Sequence, residues 1–296
     1  MVRKVSVILP AFNEAGSIGD VCRDLRRLAG ERQPVDLIEI LVVDDGSSDG
    51  TAEAAEAAGA RVVRHPYNIG NGAAVKAGMR AAMGEVYVLM DADGQHRAEE
   101  IPRLLDALEG HAMAVGARRS DGHASLGRRI ANATYSRFAS YVTGHRIPDL
   151  TSGFRAVRAG VARRFLYLLP NTFSYPTTIT LACFKTGLPV AYVPIEARKR
   201  VGRSKIRIVE DGTRFFLIIL KIATFFSPFR VFFPLALLSF LTGAGYYVYT
   251  FFTAHRFTNM AMLLIVQSVI LFALALISEQ IAQLRFDRSE RRGEPR

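Results

Sequence analysis

The sequence predicts an α/β domain built on a mostly parallel sheet, followed by an interfacial helix and a two-helix transmembrane hairpin. Three observations predict it. Short apolar runs alternate with helical patterns through the first part of the chain, and carboxylates collect directly after two of those runs. Two uncharged stretches of about twenty residues each occupy the last third. A chain of 296 residues has room for one full α/β domain and a smaller unit.

Residues 5–9, 38–43, 61–63, 86–90 and 113–115 are apolar and rich in β-branched side chains, and read as strands. Between them, residues 17–28, 51–58, 73–83 and 98–108 carry helical spacing. Ser17 followed by Asp20 is a capping-box signature for the first helix. Strands separated by helices of crossover length imply a parallel sheet covered on both faces. Ligands of such sheets bind beyond the carboxyl ends of the strands, and the carboxylates stand there.

Composition narrows the function classes. Hydrophobic residues make up 50% of the chain and the mean hydropathy is +0.16, oily for a purely soluble protein. Cys22 and Cys183 share no short spacing, which suits free thiols in a reducing compartment and neither a disulfide framework nor a metal knuckle. The first residues lack the pattern of a signal peptide, so the folded N-terminal part is expected in the cytoplasm. The net charge of +11 is unevenly spread: residues 1–110 sum to −6 and residues 111–296 to +17. An acidic half suits cations, and a basic half suits phosphates or an anionic bilayer. Nucleic acid is excluded as the partner because no recognised motif for it occurs and much of the basic excess adjoins apolar segments.

Residues 231–252 and 260–278 contain no charged side chain and are joined by a short polar turn at 253–259, which predicts a transmembrane hairpin. The tail holds Arg285, Arg288, Arg291, Arg292 and Arg296, against Arg256 alone in the turn. The positive-inside rule then puts both chain ends in the cytoplasm. Residues 211–229 are apolar over most of their surface, with Arg207, Asp211, Arg214 and Lys221 along one helical stripe. Pro228 and Arg230 cut this segment short of a span, so a helix lying in the membrane interface is expected.

The strongest local signal is Asp91-Ala92-Asp93-Gly94-Gln95-His96, directly after the strand at 86–90. Carboxylates at alternate positions of a strand-end loop can share one divalent ion, and Asp and Gln oxygens suit Mg²⁺ or Mn²⁺. Such an ion would bridge a diphosphate and stabilise the charge of a leaving group. A second acidic cluster, Asp44-Asp45-Gly46-Ser47-Ser48-Asp49-Gly50-Thr51, follows the strand at 38–43. Asp49 and Thr51 read as turn and helix cap, which leaves Asp44 and Asp45 for hydrogen bonds to a base or ribose. Gly70-Asn71-Gly72 lacks the third glycine of a dinucleotide fingerprint, because Val75 occupies that place. It reads as a tight turn that lets the backbone approach a ligand.

Leu9-Pro10-Ala11-Phe12-Asn13-Glu14, Asp44 to Thr51, Asn68-Ile69-Gly70-Asn71-Gly72 and Asp91 to His96, in this order, resemble the family 2 inverting glycosyltransferases. Gly116-Ala117-Arg118, Asp149-Leu150-Thr151-Ser152-Gly153-Phe154-Arg155 and Gly202-Arg203-Ser204-Lys205 resemble the branch that makes polyprenyl-phosphate hexoses, dolichol-phosphate mannose synthases included. The resemblance covers roughly residues 4–210. It implies a GT-A catalytic domain at 1–210, after which hydropathy and charge predict an interfacial helix at 211–230, a hairpin at 231–282 and a basic cytoplasmic tail at 283–296. It also implies that Pro10, Phe12, Glu14 and Asp44 contact the nucleotide, and that Asp91, Asp93 and Gln95 hold metal and diphosphate. Arg118 and Arg128 would meet the acceptor phosphate, with Arg129 the alternative to Arg128. Arg200, Ser204 and Lys205 would close over the donor. The family's arginine three residues before the glycine is Lys199 here, which leaves Arg198 and Arg200 as neighbours for that role.

The implied reaction moves a hexose, glucose or mannose foremost, from a UDP- or GDP-sugar to an undecaprenyl or dolichyl phosphate at the cytoplasmic face of the plasma membrane. A phosphate monoester is already an oxyanion near neutral pH, so the acceptor can attack without a protein base. An arginine cluster is what two anionic reactants require. Asp149 reads either as the group that orients an arginine or as a base, orientation being favoured. Catalysis is thus expected from Asp93, Asp149, Arg118 and Arg128. His65, His96, His111 and His123 show no ligand spacing and read as structural or solvent-facing. The chain contains no tryptophan, which removes the processive synthases with their Gln-x-x-Arg-Trp motif. A non-processive transferase onto another lipid or glycan, and a non-catalytic membrane scaffold, are the alternatives. The sequence leaves the sugar, the polyprenol and the oligomeric state, a homo-oligomer included, open.

Overall fold

Val5, Val7 and Leu9 alternate with Ser6 and Ile8, and all five are buried, as a strand covered on both faces requires. In the computed structural model, which describes residues 3–30, 35–118, 126–172, 174–196, 220 and 224–293, the chain divides into two units, Met1–Arg207 and Ile208–Arg296. The first begins with β1 (Arg3–Ala11), α1 (Ala15–Gly30), β2 (Val35–Asp44), α2 (Thr51–Ala57), β3 (Arg61–Arg64), α3 (Asn71–Ala81) and β4 (Val86–Leu89). It continues through α4 (Ile101–Ala107), β5 (Met113–Arg118), α5 (Leu126–Thr143), β6 (Arg155–Arg158), α6 (Ala159–Phe165), α7 (Tyr175–Lys185) and β7 (Val190–Ile195).

The strands form one seven-stranded sheet in the order β3-β2-β1-β4-β6-β5-β7. β3, β2, β1 and β4 run parallel, as do β5 and β7, whereas β6 is antiparallel to β4 and β5. The fold is therefore the mostly parallel α/β sheet that the sequence predicts. Because β2, β1 and β4 are adjacent and parallel, their carboxyl ends open on one edge, and the loops at 12–14, 44–51 and 91–96 lie side by side. One face of the sheet packs Val5, Val7, Leu9, Val42, Val86 and Val88 against Ile18, Val21, Cys22 and Leu25 of α1. Fully burying each such aliphatic side chain stabilises the fold by about 1.5–3 kcal/mol. Cys22 and Cys183 are free, buried thiols; burial pushes them up to about 11 and about 12, far from reactive thiolates.

The start of α1 differs from the capping-box expectation. The Glu14 carbonyl accepts the amides of Ser17 (3.0 Å) and Ile18 (2.9 Å), so the helix begins before Ser17, which lies in its first turn. The Ser17 hydroxyl instead donates to the Ala92 carbonyl at 2.9 Å and ties α1 to the acidic loop after β4.

In the second unit, α8 (Pro228–Ala254) and α9 (Asn259–Gly293) form an antiparallel hairpin, and Pro228–Ala254 and Asn259–Leu284 are long and apolar enough to cross a bilayer. Ala236, Gly243 and Thr250 on α8, and Ala261, Ser268, Ala275 and Ala282 on α9, are buried at a spacing of seven. Small residues in that register let the backbones approach, and a Cβ on Gly243 would lie 2.9 Å from Leu264 Cβ. Large apolar side chains point outward: Phe252 is 74% exposed and Leu238 64%. Helices with small residues inside and large apolar ones outside belong in lipid, and this is a membrane protein. Two boundaries differ from expectation. Pro228, read as a stop, sits at the first turn of α8, where its missing N–H costs nothing. The basic segment expected as a tail continues α9 as far as Gly293. Residues 211–219 and 221–223, most of the expected interfacial helix, lie outside the described residues.

α3 reaches the sheet through Gly78, where an added Cβ would sit 2.4 Å from Ile8 Cγ2. Gly78→Ala should therefore lower stability by about 1–3 kcal/mol through overpacking, against a helix-propensity gain of about 1 kcal/mol. Thermal unfolding in detergent tests this: a lower midpoint is expected, and a raised midpoint would show that α3 yields freely.

Candidate active site

Three strand ends build the site. After β1 the chain turns at Asn13, whose φ of 56° is left-handed. The Asn13 amide donates to Ser47 Oγ and its Oδ1 accepts the Ser48 amide, both at 2.9 Å. Asp49 accepts the amides of Ala15 (3.1 Å) and Thr51 (3.2 Å), and Thr51 Oγ1 accepts the Glu14 amide (2.9 Å). The loops after β1 and β2 are thereby stitched together, with buried Pro10, exposed Phe12 and half-buried Glu14 along their rim.

Asp44 and Asp45 have different uses. Asp45 accepts the amides of Ile69 (3.1 Å) and Gly70 (2.8 Å) and lies 2.7 Å from His65 Nδ1, so it holds the chain's own loop instead of the expected base or ribose. Asp44, buried beside Ala11 of β1, accepts the Ser47 amide at 3.0 Å. The turn at Gly70 also differs from expectation. What its backbone approaches is the chain itself: with φ at 126°, a Cβ on Gly70 would lie 2.4 Å from the Asn171 carbonyl, which accepts the Ala73 amide at 3.2 Å.

The loop after β4 carries Asp91 and Asp93. Asp93 is buried and accepts the Gln95 amide at 3.1 Å. Asp91 Oδ2 stands 3.6 Å from His96 Nε2, whose ring stacks on Phe154 at 5.0 Å. From the other side comes Gly153, where a Cβ would fall 2.8 Å from Asp91 Oδ2, so a larger residue would displace the carboxylate. Burial opposes the Asp91 charge, yet His96, Arg118 and Arg155 outweigh it and hold the carboxyl below its ordinary range.

The donor set fits a hard divalent ion. Asp91 and Asp93 offer carboxylate oxygens and Gln95 an amide oxygen, and the Asp91 side chain keeps 38% of its surface open. Among the described residues no group of three or more His, Cys, Asp and Glu forms a closed cage. An ion here would complete its shell with water and phosphate oxygens, as magnesium does.

Arg118, at the end of β5, makes a fork on Asp149: Nε donates to Oδ2 at 2.8 Å and Nη2 to Oδ1 at 3.1 Å. Nη2 also donates to Thr151 Oγ1 at 2.7 Å. Burial opposes the charge on both partners, but their pairing prevails, lowering the Asp149 pKa and raising that of Arg118. Beneath this pair lies Arg155, wholly inaccessible to solvent. Its Nη1 donates to the Pro176 carbonyl (2.8 Å) and Thr180 Oγ1 (3.1 Å), and its Nη2 to the Ser152 carbonyl.

The structure thus brings Pro10, Phe12, Glu14, Asp44, Asp91, Asp93 and Gln95 to one edge and pairs Arg118 with Asp149. Arg128 and Arg129 lie on α5, and their side chains fall outside the described residues. Arg198, Lys199, Arg200, Ser204 and Lys205 are outside them altogether. Sequence reasoning passed over Gly153, Arg155 and the placement of His96. The first two stand in a quoted motif, but only tertiary contact shows what they touch.

Residues 6–166 match the family model described as glycosyl transferase family 2, and residues 227–284 match that of the GtrB C-terminal hairpin. The chain is 32% identical to glycosyltransferase AglJ of Haloferax volcanii over 83% of its length and 80% of the relative's. It is 32% identical to the dolichyl-phosphate hexose transferase of the same organism, over 68% of this chain and 86% of the other. The undecaprenyl-phosphate mannosyltransferase of Micrococcus luteus is 30% identical over 69% of this chain and 87% of its own. Among solved structures, glucosyl-3-phosphoglycerate synthase from Mycobacterium tuberculosis, in complex with Mn²⁺ and UDP-glucose, superposes with a TM-score of 0.60. That likeness covers 73% of this chain and 77% of the other at 24% identity, and bears on the fold alone.

Because the folded pKa of Asp149 is depressed, it adds stability above its ordinary value of 3.8 and loses it as pH falls through the depressed value. Asp149→Asn should lower stability near neutral pH by about 1–2 kcal/mol, a modest figure because Arg118 is partly exposed and water screens the pair. Melting curves from neutral pH into the acid range should show the variant and the parent converging below the carboxylate range. A gap that stays constant with pH would mean that the pair contributes through shape alone.

Proposed function

The chain belongs to glycosyl transferase family 2, and we propose that it moves a hexose from a UDP- or GDP-sugar to a polyprenyl phosphate at the cytoplasmic face of the membrane. One observation carries the reading: Asp44, Asp91 and Asp93 stand at the ends of adjacent parallel strands, and Arg118, whose charge is felt at Asp91, is fixed beside them by Asp149. The acidic edge suits a metal-bound nucleotide-sugar, and the arginine suits a second anion. Relatives named for dolichyl-phosphate hexose transfer and undecaprenyl-phosphate mannosyl transfer support the acceptor class. The membrane hairpin supports it independently, since a polyprenyl chain resides in the bilayer.

In this reading Pro10, Phe12, Glu14 and Asp44 seat the nucleotide, and Asp91, Asp93 and Gln95 hold Mg²⁺ or Mn²⁺. When bound, the ion neutralises the diphosphate as it leaves. Arg118 and Arg128, or Arg129 in place of Arg128, align the acceptor phosphate, whose oxyanion attacks the anomeric carbon as the bond to the diphosphate breaks, inverting that centre. Asp149 is a positioning residue: its carboxylate is engaged by Arg118 and is not needed as a base. Arg200, Ser204 and Lys205 close over the donor. The arginine-rich C-terminal segment supports a topology with both chain ends in the cytoplasm. Incubating membranes that contain the full chain with radiolabelled UDP- and GDP-sugars, then extracting lipid, tests the reading. A labelled polyprenyl phosphate is expected; label in another lipid, or in none, defeats it.

Asp93→Ala should abolish transfer and metal-dependent donor binding while the protein still melts cooperatively, because it deletes a ligand from a loop. Near-normal turnover with Mg²⁺ or Mn²⁺ would refute the metal assignment.

Arg118→Ala and Arg128→Ala should each reduce catalytic efficiency toward the lipid by roughly ten- to a hundredfold, the loss of a charge-assisted hydrogen bond of about 1.5–3 kcal/mol. Donor binding by calorimetry should hardly change, and lysine should rescue only in part because it lacks the planar fork. If both variants lose donor binding and keep their acceptor KM, these arginines belong to the nucleotide site.

A further inference from the structure

Between Asp121 and Glu196 the chain carries one carboxylate, Asp149, against nine Lys and Arg residues. Asp149 is already committed to Arg118. Arg155 is buried, yet the rest of the stretch remains positively charged with little internal compensation. At the C-terminal end of α5 it forms an open groove of about 640 Å³, lined by Arg137, Ser140, Tyr141, His145 and Arg146 among others. Arg137 and Tyr141 stand four residues apart on α5 and so share one side. Gly144, with φ at 77°, turns the chain after Thr143 and brings Arg146 back beside them.

The groove is held in shape. The Gly144 amide donates to the Ser140 carbonyl at 2.8 Å and the Ile147 amide to Ser140 Oγ at 3.0 Å. The His145 ring stacks on Phe184 at 4.8 Å. Neither Arg137 nor Arg146 forms an ion pair among the described residues. Tyr141, 52% exposed, lines the same groove as Arg137 and Arg146, an aromatic ring with a polar tip among cations. Cations flanking an exposed tyrosine match the headgroup layer of a membrane, where phosphates meet the upper acyl carbons.

We propose that this groove seats the headgroup phosphates of an anionic bilayer and rests the α/β unit on the membrane surface. The hairpin in the same chain keeps a bilayer permanently within reach, so even weak contacts operate at high effective concentration. Each basic residue near an anionic leaflet strengthens such contact by about fivefold. The groove is not the acceptor site under another description. Arg137 stands nine residues beyond Arg128 on α5, about 13 Å along the helix axis, too far for one phosphate to bridge.

The chain has no tryptophan, so Tyr141→Trp in the full-length protein gives a reporter that reads this groove alone. In nanodiscs bounded by a tryptophan-free belt and containing bromine-labelled phosphatidylglycerol, its emission should shift to the blue and be quenched. In discs of bromine-labelled phosphatidylcholine alone it should do neither. At about 1 M salt, where the Debye length falls to about 3 Å, the quenching should disappear. It should also disappear when Arg137→Ala and Arg146→Ala are combined. Equal emission in both lipids, or quenching indifferent to the arginines, would overturn the proposal. So would a shift produced in phosphatidylcholine discs by inorganic phosphate or a short DNA duplex. Should Tyr141→Trp fail to fold, a nitroxide attached through Ser136→Cys reads the same depth. No readout involves sugar transfer, so the result is independent of the catalytic reading.

Discussion

Arg155 has no contact with water, and its guanidinium spends its charge on the carbonyls of Ser152 and Pro176 and the hydroxyl of Thr180. A cation in that position is tolerated only when hydrogen bonds replace its hydration, and burial still pulls its pKa below the ordinary value. Its bonds fasten the start of α7 to the loop 149–153. That loop carries two contacts on which the site depends. Gly153 lies against the Asp91 carboxylate, and Asp149 grips Arg118. The position of the acidic edge relative to the arginine is therefore set from beneath, by a residue that touches neither ligand site. The Arg155 charge also reaches Asp91 through the interior and favours its ionised form.

Crowding carboxylates at neighbouring strand ends is costly unless each has its own compensation. Asp45 is satisfied by two amides and the His65 ring, and Asp49 by the amides that begin α1 and α2. Asp91 differs. Its 3.6 Å approach to His96 is longer than a hydrogen bond, and its side chain stays partly open. The acids that shape the loops are thus saturated by the chain itself, whereas Asp91 keeps capacity for an external cation. This division separates scaffold from ligand-facing carboxylates without reference to any relative.

The first half of the sheet was legible because its strands are short apolar runs, two of which lead directly into the acidic loops at Asp44 and Asp91. The pattern breaks after β5. β6 reads Arg155-Ala156-Val157-Arg158, and no periodicity announces a strand whose first residue is a buried arginine. α7 is built from Thr177, Thr178, Ile179 and Thr180, β-branched residues that favour strands. They form a helix because Tyr175 to Cys183 are all buried among neighbouring elements, and packing overrides propensity. The acidic loops were visible in the sequence, but the roles of Asp45 and Gly70 were not. Both depend on segments distant along the chain, the 65–70 loop and the 170–172 backbone, and spacing alone cannot reveal such contacts. The hairpin was legible from the absence of charge. Its seam of small residues at a spacing of seven became meaningful only once Ala236, Gly243 and Thr250 were seen to face the partner helix.

The uneven charge of the chain follows from the same geometry. A nucleotide-sugar and a lipid phosphate are both anions, and an acidic edge alone would repel each of them. A divalent ion at Asp91 and Asp93 would reverse the sign of that edge for the donor, but it occupies only one end of the site. The other end needs a fixed positive charge that does not collapse onto the same carboxylates. Asp149 supplies the means: by accepting Nε and one Nη of Arg118, it holds the guanidinium in place while Asp91 stays free of a direct ion pair with it. A lysine at position 118 would keep the charge but lose the two-point grip, and a single flexible ammonium could swing onto Asp91 and cancel the site. The fork between Arg118 and Asp149 is therefore what allows opposite charges to stand side by side without neutralising each other.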